Sequence, residues 1–220
     1  IIVDDASGDA TAEVLQKYAT KDSRVRVLRN DLNIGFIKSL NKALKKAEGK
    51  YIARIDDDDT WCDPDKLIKQ VSLLESHLEY MVVGGGTIRV DLMGKGFLHL
   101  LSPQEDQEIR KAMLQFNPFA HSTVLFRRSA YEQEGGYNEK LETSGDWDLW
   151  MRLGKRGKLY NFPEYFARCL EAGQNFSHQK FLRNARATLA LRLKYRNDYP
   201  NFLQGYLRGL ISLLLALLPF

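Results

Sequence analysis

Short apolar runs alternate with amphipathic stretches through the first half of the chain. The runs at residues 1–3, 25–28, 51–55 and 81–83 have the length and the β-branched content of buried strands. The stretches between them repeat apolar residues at helical spacing. Strands separated by helices are typical of βαβ units, so the pattern predicts an α/β fold with a mostly parallel sheet and helices on both faces. Ligands of such sheets bind at the carboxyl ends of the strands.

The second half of the chain predicts a mixed arrangement of strands and helices. The runs at 87–91 and 97–101 flank a glycine-containing turn and are typical of a hairpin. A helix is expected over residues 102–115, a strand over 122–126 and another helix over 146–156. These elements follow the alternating half closely enough to belong to the same domain.

The C-terminal tail, residues 177–220, has a net positive charge, whereas the rest of the chain is slightly acidic. Residues 178–220 contain seven basic residues and one acidic residue, and the remaining 177 residues contain the other 25 basic and 27 acidic side chains. The tail is predicted to be a basic helix followed by an apolar one. The apolar stretch at 210–218 would reach only about 14 Å as a helix, about half of a bilayer core. It lies on a membrane surface, packs on the domain or is the first part of a spanning segment cut at Phe220, and the sequence leaves these three alternatives open.

The basic tail and the N-terminal sequence bear on the partners and the location of the protein. The basic tail lacks a recognisable nucleic-acid-binding module, so no nucleic-acid partner is expected. No signal peptide is recognisable, which predicts a cytoplasmic location, with peripheral contact at the inner face of the cell membrane through the tail.

The absence of two glycine-rich motifs excludes two common kinds of nucleotide-binding site. The chain contains neither G-x-x-x-x-G-K-[ST] nor a G-x-G-x-x-G that follows a strand, so neither a P-loop nor a Rossmann dinucleotide site is supported. The triplet at 84–86 is interpreted as a turn at the end of a strand. A nucleotide bound by this sheet would therefore be held by acidic side chains and a metal ion.

Four consecutive aspartates, residues 56–59, follow the apolar run at 51–55. Like charges repel, and the arrangement becomes favourable when a cation binds among them. On an extended segment Asp56 and Asp58 point the same way, and such oxygen ligands suit Mg²⁺ or Mn²⁺. A solvated acidic turn is the alternative interpretation, and the apolar strand directly before the run favours the metal site.

The remaining candidate residues each have a structural explanation as well as a functional one. Asp4 and Asp5 end an earlier strand and are suited to a base or ribose, but an acid there also caps a helix. Asp146 opens a helix and is either a general base or a partner of the helix dipole. His121 is expected to be a satisfied structural residue. Trp147 belongs to an aromatic group that could form a wall for a sugar.

Five segments in the same order resemble the signatures of the family 2 glycosyltransferases, which have the GT-A fold. The resemblance covers residues 1 to about 170 and is carried by "IIVDDASGDAT", "NIGFIKSLNKALKKAEGKYIARIDDDD", "PDKLIKQV", "NPFAHSTVLFRRSAYEQEGGYNE" and "GDWDLWMRL". It implies a GT-A domain at 1–176, with a nucleotide-binding part at about 1–92 and an acceptor part at about 93–176. It also implies that the first strand and helix of the fold are missing.

The resemblance assigns roles to individual acids. Asp5 would contact the nucleotide base, Asp58 would be the direct metal ligand, and Asp56 or Asp57 would face the ribose. The general base would be Asp146. His121 and Trp147 would lie near the acceptor or donor sugar.

The chain departs from the family pattern at two of these sites. Gly145 stands where relatives have a glutamate before the general base. No histidine closely follows Arg168, which leaves a third metal contact open.

The implied activity is inverting transfer of a sugar from a nucleoside-diphosphate sugar, with UDP favoured, to a glycan or lipid-linked acceptor in cell-surface polysaccharide synthesis. Mg²⁺ or Mn²⁺ would be the cofactor. Two alternatives remain at this point. One is a sugar-nucleotide nucleotidyltransferase, and the other is a binding domain that has the fold without catalysis.

Overall fold

The computed structural model describes residues 1–171 and 181–217. The expected alternation of strands and helices is present in the first half, as β1 (Ile2–Asp4), α1 (Thr11–Lys21), β2 (Val27–Arg29), α2 (Phe36–Leu44), β3 (Tyr51–Ala53), β4 (Asp59–Trp61) and α3 (Lys66–Ser76). The second half contains β5 (Tyr80–Val90), β6 (Gly96–Leu100), α4 (Asp106–Ala112), a 3-10 turn (His121–Thr123), β7 (Leu125–Arg127), α5 (Arg128–Gln133), α6 (Gly145–Gly154) and β8 (Lys158–Leu170). Two helices follow, α7 (Phe181–Lys194) and α8 (Phe202–Leu217).

The sheet is mixed, which corrects the prediction of a mostly parallel one. Six strands form one sheet in the order β3-β7-β5-β8-β4, with β6 paired to β5, and β1 and β2 form a separate parallel pair. Within the six-stranded sheet only β5 and β8 run parallel. The apolar pattern could not reveal strand direction, because a buried strand has the same apolar residues in either orientation.

Gly84, Gly85 and Gly86 lie in the middle of β5, so the prediction of a strand-end turn was wrong. All three are buried, and β5 continues through them between β7 and β8. A Cβ at Gly84 would lie 2.4 Å from the Asn161 side chain, and one at Gly85 would lie 2.4 Å from the Phe166 ring. The glycines are therefore explained by the close approach of neighbouring side chains.

The main hydrophobic core lies between α6 and the sheet. Trp150 and Leu149 of α6 are fully buried with Phe126 of β7, and Trp150 packs 5.7 Å from the Phe126 ring and 6.0 Å from the Phe119 ring. Burial of these large side chains fixes α6, whose first turn carries Asp146, against the sheet.

The two C-terminal helices pack on the domain, and α8 keeps an apolar face exposed. Tyr199 Oη donates to the Met151 carbonyl at 2.6 Å, and a Cβ at Gly205 would lie 2.2 Å from the Leu114 carbonyl oxygen, so α8 lies directly against the chain there. The tail was expected either to pack on the domain or to lie on a membrane, and packing is present. Among the described helices, none combines the length and the apolarity needed to cross a membrane.

The predicted start of the basic helix near residue 177 and the predicted domain boundary at 176 lie outside the described residues.

Candidate functional site

A cleft of about 710 Å³ brings together the acids that were selected from two distant parts of the sequence. Asp56–Asp59 line it from the segment around the start of β4, and Asp146 lines it from the first turn of α6. His121 and Trp147 line it as well. Asp4 and Asp5 are not among its lining residues.

Arg54 explains part of the charge balance in the aspartate run. This residue is 8% exposed, and its guanidinium pairs with both carboxylate oxygens of Asp56. The Asp56 backbone N–H donates to Ser122 Oγ at 3.0 Å, which holds the segment from its other side. Sequence analysis did not select Arg54. Its signal was a single cation inside the otherwise apolar run at 51–55.

Asp57 and Asp58 are exposed and make no side-chain hydrogen bond or ion pair in the part of the chain that the structure describes. Partial burial and the neighbouring charges of Asp59, Asp56 and Asp57 raise the pKa of Asp58 above its ordinary value of 3.8. Asp59 instead accepts a 3.2 Å hydrogen bond from Cys169 Sγ. The carboxylate of Asp58 thus lies close to three like charges, and a bound cation would relieve their repulsion.

Within residues 1–171 and 181–217, no group of three or more His, Cys, Asp or Glu side chains is placed to hold a metal ion. A divalent ion at Asp58 would therefore take its other ligands from water and from a bound diphosphate. Magnesium sites commonly have this composition, so the residues present fit such an ion.

Asp146 is held at the start of α6 by a short hydrogen bond. Its Oδ2 accepts the side-chain N–H of Asn117 at 2.7 Å. Burial raises the pKa of Asp146 above 3.8, while the Trp147 backbone N–H, Asn117 and the charge of Arg54 oppose that rise. A buried carboxylate whose ionised form is stabilised by hydrogen bonds and a nearby guanidinium is suited to accept a proton. Asn117 was missed by sequence analysis, because nothing in its local sequence indicates a partner 29 residues away.

His121 and Trp147 are packed side chains that reach the cleft. His121 Nε2 lies 2.7 Å from Tyr137 Oη, and burial holds the pKa of His121 well below 6.5, so the ring is neutral. Trp147 is 3% exposed, and its Nε1–H donates to the Met113 carbonyl at 3.0 Å. The expectation that His121 is a satisfied residue agrees with its hydrogen bond, and the role of either residue toward a sugar stays a prediction.

Asp4 and Asp5 occupy different environments at the end of β1. Both Asp5 oxygens accept hydrogen bonds from the chain, Oδ1 from Asn30 Nδ2 and Ile34 N and Oδ2 from Gly35 N, at 2.7 to 2.9 Å. Asp4 is 2% exposed, and its Oδ1 accepts from the Ser7 backbone N–H while its Oδ2 accepts no hydrogen bond. Asp5 therefore anchors the loop before α2, and Oδ2 of Asp4 forms a 3.5 Å ion pair with Arg29 Nε without a hydrogen bond.

Comparison with known proteins identifies relatives along most of the chain. Residues 1–135 match the sequence model of Glycosyl transferase family 2. The chain is 36% identical over 185 residues to the glycosyltransferase EpsE of Bacillus subtilis, covering 82% of this chain and 65% of EpsE. It is 45% identical over 189 residues to the teichuronic acid biosynthesis glycosyltransferase TuaG of the same organism, covering 82% of this chain and 70% of TuaG. It spans 53% of a Haemophilus influenzae relative, an uncharacterized glycosyltransferase that is 31% identical over 180 residues.

Two solved structures share the fold. S. aureus TarS 1-349 in complex with UDP-GlcNAc superposes with a TM-score of 0.67 at 18% identity, covering 96% of this chain and 62% of that 1-349 chain. The mannosyltransferase PcManGT of Pyrobaculum calidifontis, in complex with GDP-Man and Mn2+, superposes with a TM-score of 0.66 at 20% identity, covering 98% of this chain and 60% of that protein.

Proposed function

The chain belongs to glycosyltransferase family 2 and has the GT-A fold, and on this premise we propose that it transfers a sugar from a nucleoside-diphosphate sugar to a hydroxyl group. The expected donor is a UDP-sugar, and the expected acceptor is a glycan or lipid-linked glycan in cell-surface polysaccharide synthesis. The names of TuaG and of the amylovoran biosynthesis glycosyltransferase AmsE of Erwinia amylovora support that setting. The observation that carries the proposal is that Asp58 and Asp146 line one cleft.

Asp146 is proposed as the general base of an inverting reaction. Its carboxylate takes the proton of the acceptor hydroxyl as that oxygen forms a bond to the anomeric carbon. The bond from the same carbon to the diphosphate oxygen breaks on the opposite face, and the nucleoside diphosphate leaves. Asn117 and Arg54 favour the charged form of Asp146, which keeps it ready to accept the proton.

Asp58 is proposed to hold Mg²⁺ or Mn²⁺, because it lies among the like charges of the run and forms no ion pair within the described residues. When bound, such an ion neutralises charge on the departing diphosphate. Asp56, fixed by Arg54, shapes the same edge of the cleft, and Asp57 is available to a ribose hydroxyl.

The nucleotide base is proposed to contact Asp4 in preference to Asp5. Both residues were expected to bind the nucleotide, with Asp5 at the base. Asp5 uses both oxygens to hold the chain, whereas Oδ2 of Asp4 accepts no hydrogen bond and forms a 3.5 Å ion pair with the exposed Arg29, so Asp4 is the better acceptor for an N–H of the base.

Peripheral membrane contact through α8 is supported by its exposed apolar face. Six large apolar side chains of α8 are at least half exposed: Leu203, Leu207, Ile211, Leu214, Leu215 and Leu217. Residues 181–217 also contain six basic side chains and one acidic side chain. An apolar face beside basic residues suits the surface of an anionic membrane.

Thermal unfolding in the presence of nucleotides tests the donor site. A ligand that binds only the folded state raises the melting temperature, so one of UDP, GDP and dTDP is expected to do so in the presence of Mn²⁺. Asp58→Asn should abolish the metal-dependent part of the shift. Asp65→Asn, which removes an exposed acid just before α3, is the matched control and should leave the shift unchanged. Stabilisation that is independent of metal, or that survives in Asp58→Asn, would contradict the assignment.

A further inference from the structure

Two arginines of the C-terminal helices line the cleft that contains Asp146. Arg192 of α7 is 5% exposed, and its guanidinium is held in place by two backbone carbonyls. Its Nε donates to the Leu114 carbonyl at 2.9 Å and its Nη2 donates to the Gln115 carbonyl at 3.1 Å. The same group lies 4.8 Å from the centre of the Trp147 ring.

The charge of Arg192 has no acidic partner. Its Nη1 is buried without a hydrogen bond, and across the described residues the side chain forms no ion pair. Burial and the nearby charge of Arg208 lower the pKa of Arg192 to about 10. A buried cation whose charged neighbour is another cation is unfavourable, and an anion between the two would relieve both the repulsion and the unmade hydrogen bond.

The backbone of α8 passes directly beside this guanidinium. A Cβ at Gly209 would lie 3.3 Å from Arg192 Cδ and 3.4 Å from Nη1. The preceding residue, Arg208, is exposed and its guanidinium lies 5.8 Å from the Phe116 ring centre. Arg208 likewise forms no ion pair in the ranges that the structure covers. The two helices therefore present two uncompensated cations to the cleft.

The aromatic rings that the two arginines contact belong to residues adjacent in sequence to the proposed base and its partner. Arg192 stacks on Trp147, which follows Asp146, and Arg208 lies over Phe116, which precedes Asn117. None of the contacts described for either arginine involves residues 56–59. An anion held here would lie beside the group that takes the acceptor proton, away from the acids assigned to the donor.

We infer that Arg192 and Arg208 form a subsite for an anionic group, a carboxylate or a phosphate, of the acceptor. That the bound molecule is the acceptor rests on the proposed transferase function. That it carries a negative charge rests on the two arginines. A negatively charged acceptor would be positioned with a hydroxyl toward Asp146 by charge-assisted hydrogen bonds from the guanidinium groups.

The test measures binding of glucuronate, glucose 6-phosphate and neutral glucose at constant ionic strength by thermal unfolding and calorimetry. The proteins are the full chain, Arg208→Gln and Arg186→Gln. Arg186 is exposed on the same pair of helices and does not line the cleft, so it controls for the loss of one positive charge. Because Arg208 is exposed, its replacement should not prevent folding. Arg192→Lys keeps the buried charge and provides a second variant.

The inference expects at least one anionic sugar to bind where glucose does not, with affinity about tenfold weaker in Arg208→Gln and unchanged in Arg186→Gln. Comparison of glucuronate, which carries a carboxylate, with glucose 6-phosphate identifies the preferred anion. Arg192→Lys should also weaken binding, because the ammonium group lacks the planar fork of donors. Equal binding by Arg208→Gln and the unmodified chain would overturn the inference.

UDP with Mn²⁺, measured on the same proteins, separates this inference from the proposed function. Unchanged nucleotide binding in Arg208→Gln supports an acceptor subsite. Weaker nucleotide binding in that variant would assign the arginines to the donor diphosphate and overturn the inference. If no nucleotide binds to any of the proteins while the anionic sugars still depend on Arg208, the transferase proposal fails and the acceptor assignment falls with it.

Discussion

The side-chain amide of Asn117 donates a 2.7 Å hydrogen bond to Oδ2 of Asp146 in the first turn of α6. The bond joins the segment after α4 to the start of α6 and stabilises the ionised form of Asp146 against the effect of burial. The pKa of Asp146 therefore depends on Asn117. A substitution of Asn117 changes that pKa and leaves the Asp146 carboxylate in place, so it tests the role of Asp146 without removing it.

Asn117→Ala should move the acidic limb of the pH dependence of kcat/KM to higher pH. A general base works deprotonated, so activity falls as the pH drops through its pKa. Loss of the hydrogen bond raises the pKa of Asp146 further. Asn197→Ala, at an exposed asparagine, is the control. An acidic limb that does not move in Asn117→Ala would mean that another group accepts the proton.

Asp146→Asn should abolish most of the turnover while nucleotide binding persists. The amide has nearly the shape of the acid but cannot take a proton, and loss of a general base typically costs about 10²–10⁴-fold. The measurement is release of nucleoside diphosphate from the donor selected by thermal unfolding. If neither the unmodified chain nor the variant turns over any nucleotide sugar that binds, the domain has the fold without catalysis.

Asp4 and Asp5 should respond differently to substitution. Asp4→Asn should weaken nucleotide binding about tenfold and cost less stability than Asp5→Ala, because Asp4 Oδ2 accepts no hydrogen bond and loses only its 3.5 Å ion pair with the exposed Arg29. Asp5→Ala removes the acceptor for Asn30, Ile34 and Gly35 and should lower the free energy of unfolding by about 2 kcal/mol. Calorimetry with the nucleotide and urea unfolding separate the two effects. The reverse pattern would restore Asp5 as the residue that contacts the base.

Asp148→Ala should destabilise the packing of α7 on α6. Asp148 is fully buried and accepts hydrogen bonds from Arg152 Nε, Lys194 Nζ and Tyr195 Oη at 2.7 to 2.9 Å. Removal of the buried acid takes one acceptor from each of these three donors, with a cost of about 3 kcal/mol in the free energy of unfolding.

Glu142→Gln is the control for Asp148→Ala. Glu142 pairs with Arg183 at the surface, and such an exposed pair contributes little to stability. Urea unfolding should show a large decrease for the first variant and almost none for the second. Similar effects of the two substitutions would show that Asp148 is not a structural centre of this packing.

Replacement of Leu203 and Leu214 by Gln should weaken binding to vesicles that contain anionic lipid. The two side chains are 67% and 63% exposed on α8. Transfer of two leucines from water into the interface is worth enough to change partitioning about tenfold or more. Leu78→Gln, at a leucine that is 71% exposed near the end of α3, is the control in co-sedimentation. No binding by the unmodified chain would exclude this surface as a membrane contact.

The α/β element order was predictable because it depends on local patterns. Apolar spacing and capping signals located most strands and helices to within a few residues, and the hairpin of β5 and β6 was anticipated. The 13 residues of β8 were missed, as was the continuation of β5 through three glycines. In both cases the strand is fixed by the neighbours it packs against, and local propensity carries little of that information.

The sequence by itself determined the family, the alternation of strands and helices, and the acids Asp58 and Asp146 as candidates, because each of these is carried by short, ordered motifs. The tertiary structure decided which groups the charged side chains of the cleft contact. Arg54 neutralises Asp56 within the run, Asn117 reaches Asp146 across 29 residues, and Arg192 reaches the Leu114 carbonyl across 78. Hydrogen bonds and buried charges depend on distances in space, and these exist only once the sheet, α6 and the C-terminal helices have packed together.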